Sequence, residues 1–227
     1  LGHAGAIIRD CGYTFPTRLV LAKVTVVLKG ILKLSAAALA AILLSAVLLA
    51  RNISTGVEGM SVRNGDWITT VSAGAADADP LLKATVAIGA LLASTRENSM
   101  YYRLSSIAGE PLRLNCRYRI EGQDYDANWW SITAYGWDNY LIPNAEKRYS
   151  FNNDNLIRRG DGSWVITVAA SEQPGNWLPV GPSGAPPWRK LGDYDFDLLL
   201  RLYTPGAAYL DTPQSAPLPA VTLEACE

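Results

Sequence analysis

From Leu34 to Ala50 the chain reads LSAAALAAILLSAVLLA, seventeen residues without a charge, closed by Lys33 on one side and Arg51 on the other. In hydrocarbon every backbone amide must be satisfied within the segment, so a run of this kind inside a membrane is a helix. At about 1.5 Å per residue it covers about 25 Å, and snorkelling of the two flanking cations extends it to about the 30 Å of a bilayer core. Three readings compete: a retained anchor, a cleaved signal peptide and a buried helix of a soluble protein. A signal peptide would have a long n-region here, and cleavage after Ala50 would put Leu48 where a small residue is wanted. The soluble helix lacks the solvated strip that a surface helix carries. The anchor is the reading adopted, with residues 1–33 as a basic segment in front of a transmembrane helix over 34–50.

The charges divide at this span. Residues 1–57 hold six Lys/Arg and one acid, Asp10, whereas residues 58–227 hold fourteen Lys/Arg and twenty Asp/Glu, so the net charge of −1 is +5 in front of −6. Arg9, Arg18, Lys23, Lys29 and Lys33 lie on the N-terminal side of the span, and an excess of Lys/Arg marks the cytoplasmic end. The expected protein sits in a bacterial inner membrane with a cytoplasmic N-terminus and a periplasmic main domain. An acidic exported domain is a poor match for nucleic acid, where a basic face is needed.

The histidine count removes much familiar chemistry. The single histidine, His3, precedes the span. The exported part therefore has no Ser-His-Asp triad, no Cys-His pair and no histidine metal site. No phosphate-binding glycine loop, zinc-ligand pattern or nucleophile elbow is present, and no cofactor or metal is expected. Cys11 falls on the cytoplasmic side, while Cys116 and Cys226 fall in an oxidising space. Their spacing alone leaves open a single bridge or two unrelated buried thiols.

After the span, residues 51–98 read as linker, first strand and short helix. Ser61 to Val71 ends in alternation and is predicted as one strand. Asp79-Pro80 is a helix start, with Asp79 as N-cap and Pro80 at the first helical position. The helix is predicted to run to about Ser94. It is apolar nearly all round, which points to burial against a sheet. Residues 99–227 read as strands: Met100–Ser105, Leu112–Ile120, Asn128–Tyr135, Tyr140–Ile142, Trp164–Ala169 and Phe196–Tyr203, separated by Gly, Pro, Asn and Asp clusters. The absence of helical period between them argues for an antiparallel sandwich or jelly roll. In the last strand Phe196, Leu198, Leu200 and Leu202 point one way and Asp197, Leu199, Arg201 and Tyr203 the other. Arg159-Gly160-Asp161-Gly162 reads as a turn.

Several blocks resemble a known family in the right order. Asn128-Trp129-Trp130-Ser131-Ile132-Thr133-Ala134-Tyr135 is followed by Asp138, Tyr140-Leu141-Ile142-Pro143-Asn144, Arg148-Tyr149-Ser150, Asp161-Gly162, Asn176-Trp177-Leu178-Pro179 and Leu200-Arg201-Leu202-Tyr203 with Pro205. Over about residues 100–206 the chain resembles the domain of unknown function 1214. Asn64-Gly65-Asp66-Trp67 and Asp79-Pro80 resemble its short, membrane-anchored members. The resemblance implies a mainly β, jelly-roll-like antiparallel sandwich and no established reaction. It also implies a Cys116–Cys226 bridge, because the family repeats one cysteine in an early strand and one near the C-terminus. The loop Gly181 to Leu191, carrying Trp188, departs from the family pattern.

Two sets of residues are candidates for chemistry. Arg148, Tyr149, Asn176 and Trp177 adjoin loops, where function concentrates. If they converge with Arg201 and Tyr203 they form a pocket of guanidinium donors and aromatic faces, suited to a carboxylate, phosphate or sugar. The alternative is that Trp177 plugs the sandwich while both arginines staple loops to Asp138 or Asp197. The second set is acidic: Asp193, Asp195 and Asp197, with Asp124 and Asp126, which as a pair in a cleft would suit a glycosidase. A solvated surface is the plainer reading. The expected function is a ligand- or partner-binding envelope module, with a carboxylate hydrolase or a membrane-complex subunit as alternatives.

Overall fold

The computed structural model describes residues 17–88, 94–181 and 196–226. The Trp188 loop, Asp193 and Asp195 lie outside the described residues. The chain divides into two units, Leu1–Asn52 and Ile53–Glu227.

Helix α1, Thr17–Gly59, is 43 residues long and contains the uncharged run. Its window Val27–Leu49 has a mean hydropathy of 2.3 with no part buried, and by length and composition it can cross a membrane. The window begins before residue 34 because Lys29 and Lys33 are isolated cations among Leu28, Ile31 and Leu32.

The second unit is mainly β. Two short strands, β1 (Val62–Asn64) and β2 (Trp67–Thr69), lead to α2 (Pro80–Ile88). Then come β3 (Ser99–Leu104), β4 (Ser106–Ile107), β5 (Glu110–Pro111), β6 (Cys116–Gly122), β7 (Ala127–Gly136), β8 (Ser150–Asn152), β9 (Trp164–Ala169), β10 (Asn176–Pro179) and β11 (Phe196–Pro205). A short helix α3 (Ala207–Asp211) and β12 (Ala220–Cys226) complete it. One sheet has the order β1-β2-β3-β11-β7-β8, a second β10-β9-β6-β12, and β4-β5 pair separately.

The two larger sheets form a sandwich because each strand's alternate side chains meet those of the other sheet. Phe196, Leu198, Leu200 and Leu202 of β11 are fully buried, as are Tyr102, Ile120, Ile132, Trp164, Ile166 and Val168 from the neighbouring strands. Trp130 of β7 stacks on Trp164 of β9 at 5.1 Å, and Tyr118 of β6 meets Phe196 edge-on at 5.7 Å. Tyr125 packs edge-on against Trp130 at 4.9 Å and closes this aromatic cluster with Tyr209 of α3. Gly122 is required beneath Trp164, because a Cβ there would lie 2.6 Å from the indole Cζ2.

Several sequence expectations change. The predicted strand Ser61 to Val71 is a hairpin: Asn64 pairs with Trp67 across Gly65-Asp66, with Gly65 at φ +59°. A glycine at the first central position suits a two-residue hairpin loop. Helix α2 begins as expected, with the Asp79 carboxylate accepting from the Leu81 N–H at 2.7 Å. It is described only to Ile88, and of its described side chains only Leu82 is buried, with Leu81, Thr85 and Val86 half-buried. Its composition is apolar, but the burial follows one stripe. Leu112 to Asn115 are not strand; β6 starts at Cys116. Tyr140 to Ile142 contribute a single bridge, Tyr135 with Leu141. The block Asn176–Pro179, expected in a loop, is strand β10, and it runs parallel to β9 in an otherwise antiparallel pair of sheets. A six-residue return suffices here because β10 spans only four residues.

The C-terminal segment after β11 is rich in proline, so it has few N–H groups and its carbonyls need donors. Side chains supply them, three of the four named here from far along the chain. Asn64 Nδ2 donates to the carbonyls of Pro213 and Ala216 at 3.1 and 2.8 Å, Trp67 Nε1 to Pro219 at 3.1 Å, Tyr102 Oη to Pro213 at 3.3 Å and Tyr209 Oη to Pro217 at 2.9 Å. The Asn64-Gly65-Asp66-Trp67 block thus clamps the strap that leads to β12. There the Cys226 and Cys116 sulfurs are bonded across paired positions of β12 and β6.

Candidate functional site

The outward face of the six-stranded sheet carries the side chains that the core rejects. Register places Tyr101 of β3, Arg201 of β11, Ser131 of β7 and Asn152 of β8 in one row. The next row holds Arg103, Leu199, Thr133 and Ser150, and the row on the other side holds Ser99, Tyr203 and Trp129. Ser131 and Thr133 are buried although they face away from the core, so the large residues around them cover the sheet.

Arg201 is half-buried on this face. Its Nη1 donates to Thr133 Oγ1 at 3.1 Å and its Nη2 to the Tyr135 hydroxyl, with the guanidinium carbon 5.2 Å from the centre of the Tyr135 ring. Its partners among the described residues are neutral. No carboxylate pairs with it among the described residues, whereas Arg96, Arg103, Arg117, Arg119, Arg158 and Arg159 each have one. A guanidinium has five N–H donors, so Arg201 keeps capacity for an anion. Tyr203 stands two residues along on the same face, 39% exposed, with its ring 5.4 Å from Trp129.

The other candidates lie elsewhere, at the edge where β8 approaches β10. Arg148 Nη1 donates to the Trp177 carbonyl at 3.0 Å, with its guanidinium 5.8 Å from the Phe151 ring. The Tyr149 carbonyl accepts from Ala134 N–H at 3.3 Å. Trp177 Nε1 donates to the Ala169 carbonyl at 3.0 Å. The Asn176 side chain donates to the carbonyls of Ile157 and Val165 and accepts from the Ile157 N–H, each at 2.8 Å. Arg148, Tyr149, Asn176 and Trp177 are therefore brought together along one edge, and Arg201 with Tyr203 on one face. No hydrogen bond or ring contact joins the two groups among the described residues. Thr133, Tyr135, Tyr101 and Trp129 were missed as members of the Arg201 face. The signal for Trp129, Thr133 and Tyr135 is the alternation of β7, whose odd-numbered residues share the side of Arg201, whereas Tyr101 joins them only through the register of β3 with β11.

Of the candidate acids, Asp197 and Asp124 are engaged in staples. Asp197 accepts from Arg103 Nε at 2.6 Å, and Arg103 Nη2 reaches Asn139 Oδ1 at 3.1 Å. Asp124 accepts from Arg158 Nη2 at 2.9 Å and from Trp130 Nε1 at 3.2 Å. Asp126 packs so closely over Gly206 that a Cβ there would lie 1.8 Å from its Oδ2. No group of three or more His, Cys, Asp or Glu able to hold a metal occurs among the described residues. Hydrogen bonds from the Ser163 hydroxyl and N–H hold the Asp161 carboxyl below its usual range, in the turn expected for Arg159 to Gly162. A recess of about 30 Å³ beside Cys116, lined in part by Asn115, Ala169 and Ala170, is far smaller than a pocket for an organic ligand.

Similarity to known proteins points the same way for the fold and is silent on activity. The VPA0106 protein from Vibrio parahaemolyticus aligns at 20% identity with a TM-score of 0.51, covering 66% of this chain and 36% of that one. A putative uncharacterized protein from Burkholderia cenocepacia aligns at 19% identity with a TM-score of 0.35, covering 60% of this chain and 31% of that one. This chain thus spans about a third of the length of these solved structures. No curated protein matches. The family model described as protein of unknown function (DUF1214) matches residues 97–207, the stretch that runs from the start of β3 to the end of β11. Residues 97–207, just under half of the chain, thus match the DUF1214 family.

Proposed function

We propose that this protein is a single-pass envelope protein, held in the bacterial inner membrane with its basic N-terminus in the cytoplasm, and that its β-sandwich binds a small anionic ligand in the periplasm. The anchor rests on the apolar window of α1, and the orientation on the five cations that precede the uncharged run. A Cys116–Cys226 bridge suits an oxidising space.

Ligand binding is carried by one observation: Arg201 is half-buried, held in place by two hydroxyl groups and a ring, and lacks a carboxylate among the described residues. A positioned guanidinium of this kind matches a carboxylate or phosphate through paired N–H donors. Tyr203 and Trp129 beside it offer ring faces to an apolar or sugar portion of the same ligand. In this reading Arg148, Tyr149, Asn176 and Trp177 close the sandwich edge.

The test is native mass spectrometry of the full chain purified gently from its own membranes. The expected spectrum shows a bound species carrying a carboxylate or phosphate, lost in Arg201→Gln while the unfolding midpoint changes little. Retention of the species in Arg201→Gln, or a large loss of stability without any bound species in the parent protein, contradicts the proposal.

A further inference from the structure

We propose that Cys226 is a site of S-thiolation, at which a small thiol exchanges into the Cys116–Cys226 bridge. The inference concerns the four-stranded sheet alone and is independent of the reading at Arg201. The two sulfurs of the bridge differ in access: Cys116 is 4% exposed, whereas Cys226 is exposed on β12, the outermost strand of its sheet. Because Cys226 is paired directly with Cys116, the bridge crosses from β6 to the open edge.

Thiol–disulfide exchange is a displacement at sulfur, and access decides which sulfur is attacked. The nucleophile enters opposite the leaving sulfur. Cys226 lies on the edge strand of its sheet, where no further strand is paired among the described residues. Cys116 instead lies on β6, flanked by β12 on one side and β9 on the other.

The step balances without an oxidant. The thiolate sulfur bonds to Sγ of Cys226, the bond to Cys116 breaks, and its electron pair stays on Sγ of Cys116, which takes a proton from solvent. Asn115 Oδ1, 3.7 Å from that sulfur, is placed to accept from the new S–H. The covalent tie on β12 is then gone. β12 keeps its ladder to β6, the Arg117–Glu224 pair at 2.9 Å, the Thr222 hydroxyl on the Arg119 carbonyl and the packing of Val221 on the core, but its other side chains are exposed.

The experiment incubates the intact, folded protein with reduced glutathione, quenches with an alkylating agent under denaturing conditions and maps the peptides by mass. Glutathione is expected on the Cys226 peptide and the alkyl group on Cys116, in roughly tenfold or greater excess over the reverse. Amide exchange across residues 220–226 should rise in the same sample. Glutathione on Cys116, equal partition between the two, or no adduct until the protein is denatured overturns the proposal. As a second measurement, oxidised glutathione should modify native Cys116→Ala readily and native Cys226→Ala hardly at all; equal rates contradict it.

Discussion

Trp164→Ala should destabilise the β unit by about 3 to 5 kcal/mol in urea unfolding followed by far-UV circular dichroism. Trp164 is fully buried, stacks on Trp130 from the opposite sheet at 5.1 Å and rests on Gly122. Its removal takes away a large transfer term and leaves a cavity between two sheets whose backbones are fixed by their own ladders. A domain of ordinary stability has about 5 to 15 kcal/mol in all, so this one side chain decides whether the sandwich survives mild denaturant. Gly122→Ala attacks the same contact from the other side. The added Cβ would meet Cζ2 at 2.6 Å, and an indole already stacked on its far face has little room to retreat. Overpacking of this kind costs about 1 to 3 kcal/mol. A loss below about 1 kcal/mol for Trp164→Ala would mean that the two sheets are not joined through this stack.

The second large effect is alkaline unfolding. Burial pushes the hydroxyls of Tyr102, Tyr125 and Tyr209 above the ordinary tyrosine value of 10.0, with smaller additions from Tyr209 at Tyr102, from Tyr209 and Asp124 at Tyr125, and from Asp126 at Tyr209. The unfolded chain therefore loses its phenolic protons before the folded one does. Stability from these groups is fully present below about pH 10 and falls as the pH rises from there towards the folded values. Each tyrosine contributes up to about 1.4 kcal/mol per pH unit while only the unfolded form titrates. Urea midpoints measured from neutral pH upward should be level to about pH 10 and then drop steeply. Tyr125→Phe should make that drop shallower, since its buried hydroxyl has no hydrogen-bond partner among the described residues. A profile that stays level above the ordinary tyrosine range, or one unchanged by Tyr125→Phe, contradicts the burial of these rings.

The parts of this fold that were legible in the sequence are those whose pattern is local. The uncharged run of α1 declares itself by length, and β11 by four consecutive core-facing alternations from Phe196 to Leu202. The start of α2 follows from Asp79 and Pro80 alone. The parts that escaped depend on partners far away. Strand β8 is three residues and β10 is four, too short to show a period, and β10 exists because the Asn176 side chain ties it to Ile157 and Val165. Strand β12 shows no alternation of burial because it lies at a sheet edge. Asn64-Gly65 did contain a hairpin signal, which was hidden inside a run that otherwise alternates.

The candidate site shows the same division. Proximity of Arg201 to Tyr203 follows from strand alternation, and the contact of Arg148 with Trp177 joins two loop-flanking blocks. That Arg201 is held by Thr133 and Tyr135 follows only from the register between β11 and β7, which pairs Arg201 with Ser131. Sequence alone also could not show that Asp197 is taken by Arg103, since that pair depends on Leu199 lying opposite Arg103 in the neighbouring strand.

We propose an inner-membrane protein whose span carries the sandwich to the outside. Protease treatment of spheroplasts expressing the full chain tests it most directly, with epitope detection on each side of α1. Protease is expected to remove the sandwich and to leave a membrane-bound fragment containing residues 1–50. A sandwich that stays protected until the spheroplasts are lysed would contradict it.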